Sequence, residues 1–253
     1  YIESESMPVC TDPDELVEEA ALETSSSTPA IADGGELEPI EEGINTLVDI
    51  IERAAATEPD HGVHSYEKVG EDVYLSYADL LKEAEKVVAG MRAHGLQPQD
   101  KVIFQFDRNI DFLIAFWACQ FGGFIPVPVA IAVEYETLNA SVAKLVHAYQ
   151  MMDRAIVLTS DRLLASVKGV QALGELEELN VGSIDQFRKS SPDSNRHPCQ
   201  PEDIGLLMLT SGSTGAPKGV MLRHRNLLSR SAGSRQMNGF NRETVSLNWM
   251  ALD

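Results

Sequence analysis

LLMLTSGSTGAPKGV, residues Leu206 to Val220, changes character three times within a few positions. Leu206, Leu207, Met208 and Leu209 form a short apolar run of the kind that fills a buried strand. Thr210, Ser211, Gly212, Ser213, Thr214 and Gly215 are all small, and four of the six carry hydroxyls. Ala216, Pro217, Lys218 and Gly219 follow, and the chain turns apolar again at Val220, Met221 and Leu222. A strand that opens into glycines and hydroxyls and ends on a lysine suits a polyphosphate. Glycine lets the backbone approach closely with its N–H groups turned inward, hydroxyls add donors, and the ammonium neutralises charge.

Three other readings compete for this stretch. Most Gly/Ser/Thr clusters are simple surface loops, but the flanking apolar runs and the placement of Lys218 weigh against that here. A P-loop, G-x-x-x-x-G-K-[ST], counted from Gly212 needs glycine at 217 and a hydroxyl at 219. The chain has Pro217 and Gly219 there, so the magnesium-holding hydroxyl is absent. The dinucleotide fingerprint G-x-G-x-x-G is missing as well.

The longer run TSGSTGAPKGVMLRHRNLL, from Thr210 to Leu228, resembles the phosphate-binding signature of the adenylate-forming (AMP-forming) ligase superfamily. That group contains acyl-CoA synthetases, fatty acyl-AMP ligases and adenylation domains of nonribosomal peptide synthetases. Three further pieces resemble the same family. LSYADL at 75 to 80 is similar to its first core motif. FWACQFGGFIPVPV, ending at Val129, is similar to the second, and its Pro-Val-Pro ending resembles the fatty acyl-AMP ligase branch. LNWMALD, 247 to 253, resembles a strand leading into a substrate-side motif, with Ala251 where the family more often has proline.

Charge is unevenly distributed. The net charge is −19, and residues 1 to 42 hold 13 Asp/Glu and no Lys or Arg, leaving −6 for the remainder. That segment, with Ser25 to Pro29 and Gly34-Gly35 as breakers, reads as an acidic, disordered linker. Within it, Thr11 to Leu22 has the pattern of a short helix. Residues 43 to 253 read as one domain. The acidic balance speaks against nucleic-acid partners and offers no attraction to anionic membranes, and no apolar run is long enough for a span. Cys10, Cys119 and Cys199 have neither zinc-like nor disulfide-framework spacing, which suits a reducing cytoplasmic location. With Tyr1 first and Asp253 following an apolar run, the chain reads as an internal piece of a longer polypeptide.

Along the chain, Thr46 to Thr57 is amphipathic. Val73 to Leu75 is strand-like. Ser76 and Asp79 make a capping-box pattern for a helix reaching Gly95. Lys101 to Phe106 is a strand, Asn109 opens a helix stopping at Gly122-Gly123, and Pro126 and Pro128 exclude a regular central strand after it. Leu138 to Tyr149 is helical, Ala155 to Thr159 is a strand, and Asp161 caps a helix to about Gly169. Residues 188 to 203 form a loop, and Asn226 caps a short helix through Leu228. His224 belongs to that turn and is no catalyst. The alternation predicts an α/β fold of layered, largely parallel sheets flanked by helices.

What the resemblance implies is the N-terminal portion of the large domain of an AMP-forming ligase, truncated at its C-terminus. ATP would sit on Thr210, Ser211, Gly212, Ser213, Thr214, Gly215 and Lys218, and Mg²⁺ would accompany it through a carboxylate beyond Asp253. The adenine and ribose contacts and the catalytic lysine would also lie beyond Asp253, so the stretch alone is expected to be inactive. The activity implied is ATP-dependent activation of a fatty, aryl or amino acid as acyl-adenylate. Transfer would follow to a carrier-protein phosphopantetheine thiol or to CoA. The acidic linker favours the carrier, inside a polyketide or nonribosomal peptide synthetase with neighbouring modules. The alternatives are a degenerate nucleotide-binding module and an inactive structural fragment.

Overall fold

The computed structural model describes residues 35–68, 71–152, 155–210 and 218–252. The chain divides into two units, Tyr1–Leu37 and Glu38–Asp253. Most of the first unit, including the expected acidic helix from Thr11 to Leu22, lies outside the described residues.

A parallel sheet of four strands is the frame of the second unit: β3 (Lys101–Gln105), β4 (Ile125–Pro128), β5 (Ile156–Thr159) and β6 (Val181–Ser183), in the order β4-β3-β5-β6. Successive side chains on a strand point to opposite faces, and the sheet is buried on both. Val102, Phe104, Ile156 and Leu158 share one core with α1 (Leu47–Thr57), α2 (Tyr77–Ala93) and α3 (Asn109–Gly122). Ile103 and Val157 turn the other way, into a core with α4 (Ala140–Met151) and α5 (Asp161–Leu173). Phe104, Phe121 and Phe124 are each 1 % exposed or less, and burying such a ring stabilises by about 2–3 kcal/mol. The result is the layered α/β arrangement with helices flanking a parallel sheet.

Local chemistry fixes the element ends. Thr46 caps α1, with Asp49 Oδ2 accepting the Thr46 amide at 2.7 Å. Ser76 Oγ accepts the Asp79 amide at 3.1 Å to start α2. Asn139 Oδ1 accepts the amides of Ser141 and Val142, so α4 begins at Ala140 rather than Leu138. Gly123, with φ of +68°, ends α3 in the left-handed conformation glycine tolerates. Pro126 and Pro128 lie in β4, an edge strand of the sheet, where the missing donors face away from β3.

Several elements differ from the sequence reading. Helix α5 runs on to Leu173, and β6 with the short α6 (Ile184–Phe187) follows it. A hairpin of β1 (Gly62–Lys68) and β2 (Glu71–Ser76) precedes α2, where only Val73 to Leu75 was expected. Helix α7 extends over His224–Asn238, well past Leu228. Residues 247 to 252 form no strand: Leu247 and Trp249 are 80 % and 86 % exposed, without a ladder partner among the described residues.

Candidate phosphate-binding hairpin

Residues 188–203 carry the chain from α6 to the hairpin without regular structure, yet they are firmly held. Arg196 bridges Glu52 at 2.8 Å and Glu85 at 2.7 Å, and its guanidinium lies 3.9 Å from the centre of the Phe121 ring. Arg92 pairs with Asp193 at 2.5 Å, and the His197 amide donates to Phe121 O at 2.8 Å. Beyond this segment come β7 (Ile204–Thr210) and β8 (Lys218–Arg223), which pair antiparallel, with Thr210 opposite Lys218 as the last pair.

The expectation that Leu206 to Leu209 fill a buried strand is corrected here. Leu207 is buried, Leu206 and Leu209 are half-buried, and Met208 is 47 % exposed. An antiparallel pair can cover one face and leave the other open, and Val220, the partner of Met208, is exposed on the open face too. Leu207 anchors the covered face, together with Ile204 and Leu209, in the core that holds Val127 and Ile103.

The base of the hairpin is fixed by buried polar contacts. Gln120 Nε2 donates to Gly205 O at 3.0 Å, and the Leu47 amide donates to His224 Nδ1 at 3.2 Å. His224 is 2 % exposed, and burial lowers its pKa below the ordinary imidazole value against the pull of Asp203 and Asp49. An acceptor Nδ1 requires a neutral ring here. His224 is therefore structural, as its place in the turn suggested. Asn226 Oδ1 accepts the Arg223 amide at 3.0 Å, so it caps α7 from inside the first turn.

At the tip, Thr210 Oγ1 donates to Lys218 O at 3.3 Å. Thr210 and Lys218 are both exposed, and among the described residues the Lys218 ammonium has no ion-pair partner. Of the seven residues expected to hold polyphosphate, these two are brought together. Ser211, Gly212, Ser213, Thr214 and Gly215 lie outside the described residues, as do Ala216 and Pro217. Lys218 and Thr210 fit an anionic ligand on chemistry: a cation without an ion-pair partner among the described residues, and a hydroxyl, bound a glycine- and hydroxyl-rich stretch of sequence.

The parallel sheet also has a crevice of the kind open α/β sheets use for ligands, where strand order reverses at the carboxyl ends of β3 and β5. Internal bonds fill it. Asp107 accepts Ser160 Oγ at 2.8 Å and Arg162 Nε at 2.6 Å. Burial pushes the Asp107 carboxyl up, but those two bonds outweigh it and hold the pKa below the usual carboxylate value. A cleft of about 320 Å³ lies alongside, bordered by Phe106, Asn109, Phe112 and Ile131. Sequence reading assigned Asp107 nothing, because its partners lie more than fifty residues away.

The AMP-binding enzyme family matches residues 51–252. Nonribosomal peptide synthetase acyN of Ascocoryne sarcoides is 29 % identical over 216 residues, 82 % of this chain and 22 % of its own length. Aspulvinone E synthetase melA of Aspergillus terreus is 31 % identical over 213 residues, again 82 % and 22 %. The chain thus spans about a fifth of the length of these relatives. Among solved structures, the adenylation domain of a keto acid-selecting nonribosomal peptide synthetase module, bound to keto acyl adenylate, superposes with a TM-score of 0.82 at 38 % identity. That match covers 88 % of this chain and 40 % of that one. The fatty acyl-adenylate ligase from L. pneumophila shares the fold at 23 % identity and a TM-score of 0.66, covering 83 % of this chain and 36 % of its own.

Proposed function

The chain belongs to the AMP-binding enzyme family, and from that premise we propose that the whole protein activates a carboxylic acid with ATP as an acyl-adenylate and passes the acyl group to a thiol. In the first step a carboxylate oxygen bonds to the α-phosphorus while the bond to the β-phosphate bridge breaks and pyrophosphate leaves. In the second, a thiolate bonds to the acyl carbon and AMP departs. Bringing two anions together and releasing a third calls for fixed positive charge and donors where charge builds.

The observation that carries this reading is the TSGSTGAPK stretch placed at the end of a hairpin whose last pair is Thr210 and Lys218. Lys218, exposed and without an ion-pair partner among the described residues, would neutralise the β- and γ-phosphates. Thr210, Ser211, Ser213 and Thr214 would donate hydroxyls, and Gly212 and Gly215 would let the backbone approach. Mg²⁺ would supply further charge neutralisation to the phosphates, held in part by a carboxylate outside these residues.

The thiol is proposed to be a carrier-protein phosphopantetheine rather than CoA, within a nonribosomal peptide synthetase of cytoplasmic location. Support comes from a solved relative that joins an adenylation domain to its carrier, at 35 % identity and a TM-score of 0.81 over 87 % of this chain and 34 % of that one. The acidic, breaker-rich residues 1–42 read as a linker to a preceding module. Since the chain covers only 40 % of its adenylation-domain neighbour, residues 1–253 alone are proposed to be inactive.

Carboxylate-dependent ATP–pyrophosphate exchange tests the reading on the whole protein, with keto and amino acids first and aryl and fatty acids after them. Exchange with one class establishes adenylation and names the substrate. ATP binding without exchange for any acid would replace the reading with a nucleotide-binding module.

A further inference from the structure

Below the hairpin, a second group of side chains converges that nucleotide binding does not use. His197, Cys199 and Asp203 each bring one donor atom, an imidazole nitrogen, a sulfur and a carboxylate oxygen, and all three lie within 4.8 Å of one another. Each is half-buried. The segment carrying them is tied down by backbone bonds. The His197 amide is bonded to Phe121 O, the Cys199 amide to His197 O, and the Gln200 amide to Asp203 Oδ2, at 2.8, 2.8 and 2.7 Å. The His197 ring lies against Gly123, where a Cβ would come within 2.3 Å of its Cδ2. Among the described residues no hydrogen-bond partner is found for either ring nitrogen of His197.

We propose that His197, Cys199 and Asp203 form a binding site for a borderline divalent metal ion of the zinc class, with water completing a tetrahedral shell. The donor set decides the class. A thiolate and an imidazole select zinc-like ions over Mg²⁺ or Ca²⁺, which take oxygen ligands. Donor atoms of a tetrahedral zinc site sit roughly 3.3–3.8 Å apart, from bond lengths of about 2.0–2.3 Å, so the ion draws the three donors slightly together.

The Cys199 thiol donates to Gln120 O at 3.5 Å, so the sulfur is already aimed at the end of α3. The nearby Arg223 and Arg225 pair instead with Glu202, and His224 is held neutral with Nδ1 engaged by Leu47. Binding breaks the S–H bond, forms the metal–sulfur bond and releases one proton to solvent, with no change of oxidation state. The ion would tie the end of α3, through Gln120 and Gly123, to the segment that enters β7.

Cobalt titration of the metal-stripped whole protein tests this, because Co²⁺ bound to a thiolate gives a sulfur-to-metal charge-transfer band that oxygen-bound cobalt lacks. One equivalent per chain is expected to carry the band, to be displaced by Zn²⁺, and to persist in Cys119→Ser and Cys10→Ser. Cys199→Ser should remove that equivalent, and zinc should raise the thermal midpoint of the wild type more than that of the variant. If Cys199→Ser does not fold, Asp203→Asn decides: it should lose most of the affinity with the fold retained. A wild type without the band, or a band that survives Cys199→Ser or is unweakened in Asp203→Asn, overturns the site. None of these outcomes depends on adenylation.

Discussion

His224 and Leu47, 177 positions apart, meet in a buried hydrogen bond: the first amide of α1 donates to Nδ1 of the first residue of α7 at 3.2 Å. A helix leaves its first amides without partners in its own backbone, and this one is satisfied from across the fold. The bond joins α1 to the end of the strand pair that carries the candidate phosphate residues.

Replacing His224 with Ala leaves the Leu47 amide buried and unpaired beside a cavity. We expect a loss of about 2–4 kcal/mol in urea unfolding of the whole protein. His224→Gln, which can keep an acceptor near the amide, should recover part of it. An Ala variant as stable as the wild type would remove the bond from the list of things holding the hairpin base.

Lys218→Ala should leave stability unchanged, since the side chain is exposed and makes no ion pair among the described residues. Losing a charge-assisted contact to phosphate costs about 1.5–3 kcal/mol, so ATP affinity or exchange should fall about tenfold to a hundredfold. Thr210→Ala should cost less, because its hydroxyl already serves Lys218 O. Equal exchange rates for Lys218→Ala and wild type would detach Lys218 from the nucleotide.

Asp111 provides a pH test. Its side chain is 1 % exposed, and burial raises its pKa to about 6 from 3.8, against the pull of Arg108 and Arg188. Oδ2 has no hydrogen-bond partner among the described residues. A raised folded-state pKa means the native state binds more protons than the unfolded chain between those two values. Stability therefore falls as pH rises through that window, and the ionised group costs roughly 2–3 kcal/mol near neutrality. Asp111→Asn should be the more stable protein at pH 7, with the gain shrinking as pH drops toward 4. A variant destabilised equally at both pH values would mean that pairing with Arg188 outweighs the burial cost.

Gly90→Ala tests packing against propensity. Alanine in a helix interior is usually better than glycine by about 0.5–1 kcal/mol. Here a Cβ would lie 2.5 Å from Phe187 Cβ and 2.6 Å from its Cα, and backbone cannot rotate out of the way. The substitution should destabilise by about 1–3 kcal/mol, read as a lower unfolding midpoint. A stabilised variant would show that α6 yields more easily than its contacts suggest.

Elements with local signals were legible in the sequence. Ser76 with Asp79 announces a helix start because the cap and its partner sit within one turn, and the apolar spacing from Leu47 marks α1. Pro126 and Pro128 pointed to something other than a central strand, and β4 is an edge strand of the parallel sheet. What was missed lacks such signals. In β1, GVHSYEK interleaves His64, Ser65 and Glu67 with few apolar residues, so no period-two pattern stands out. In α7 the apolar residues stop near Leu228, and the remaining helix is polar. LNWMALD has strand-like composition, but a strand exists only with a partner. Of the candidate site, Thr210 and Lys218 are located, while residues 211–217 lie outside the described residues. The grouping of His197, Cys199 and Asp203 had no spacing signature, since a turn and a neighbouring helix bring unlike donors together.

The prolines of β4 have a mechanical consequence. The Ile125 amide bonds to Asp100 O, so the alternation along the strand turns the ring nitrogens of Pro126 and Pro128 outward. Strand β7 runs close beside β4 but belongs to a separate sheet. Side-chain contact, which has no preferred direction, is what couples the two there. The packing of Ile204, Leu207 and Leu209 against the core of the parallel sheet therefore carries the whole attachment of the hairpin on that side.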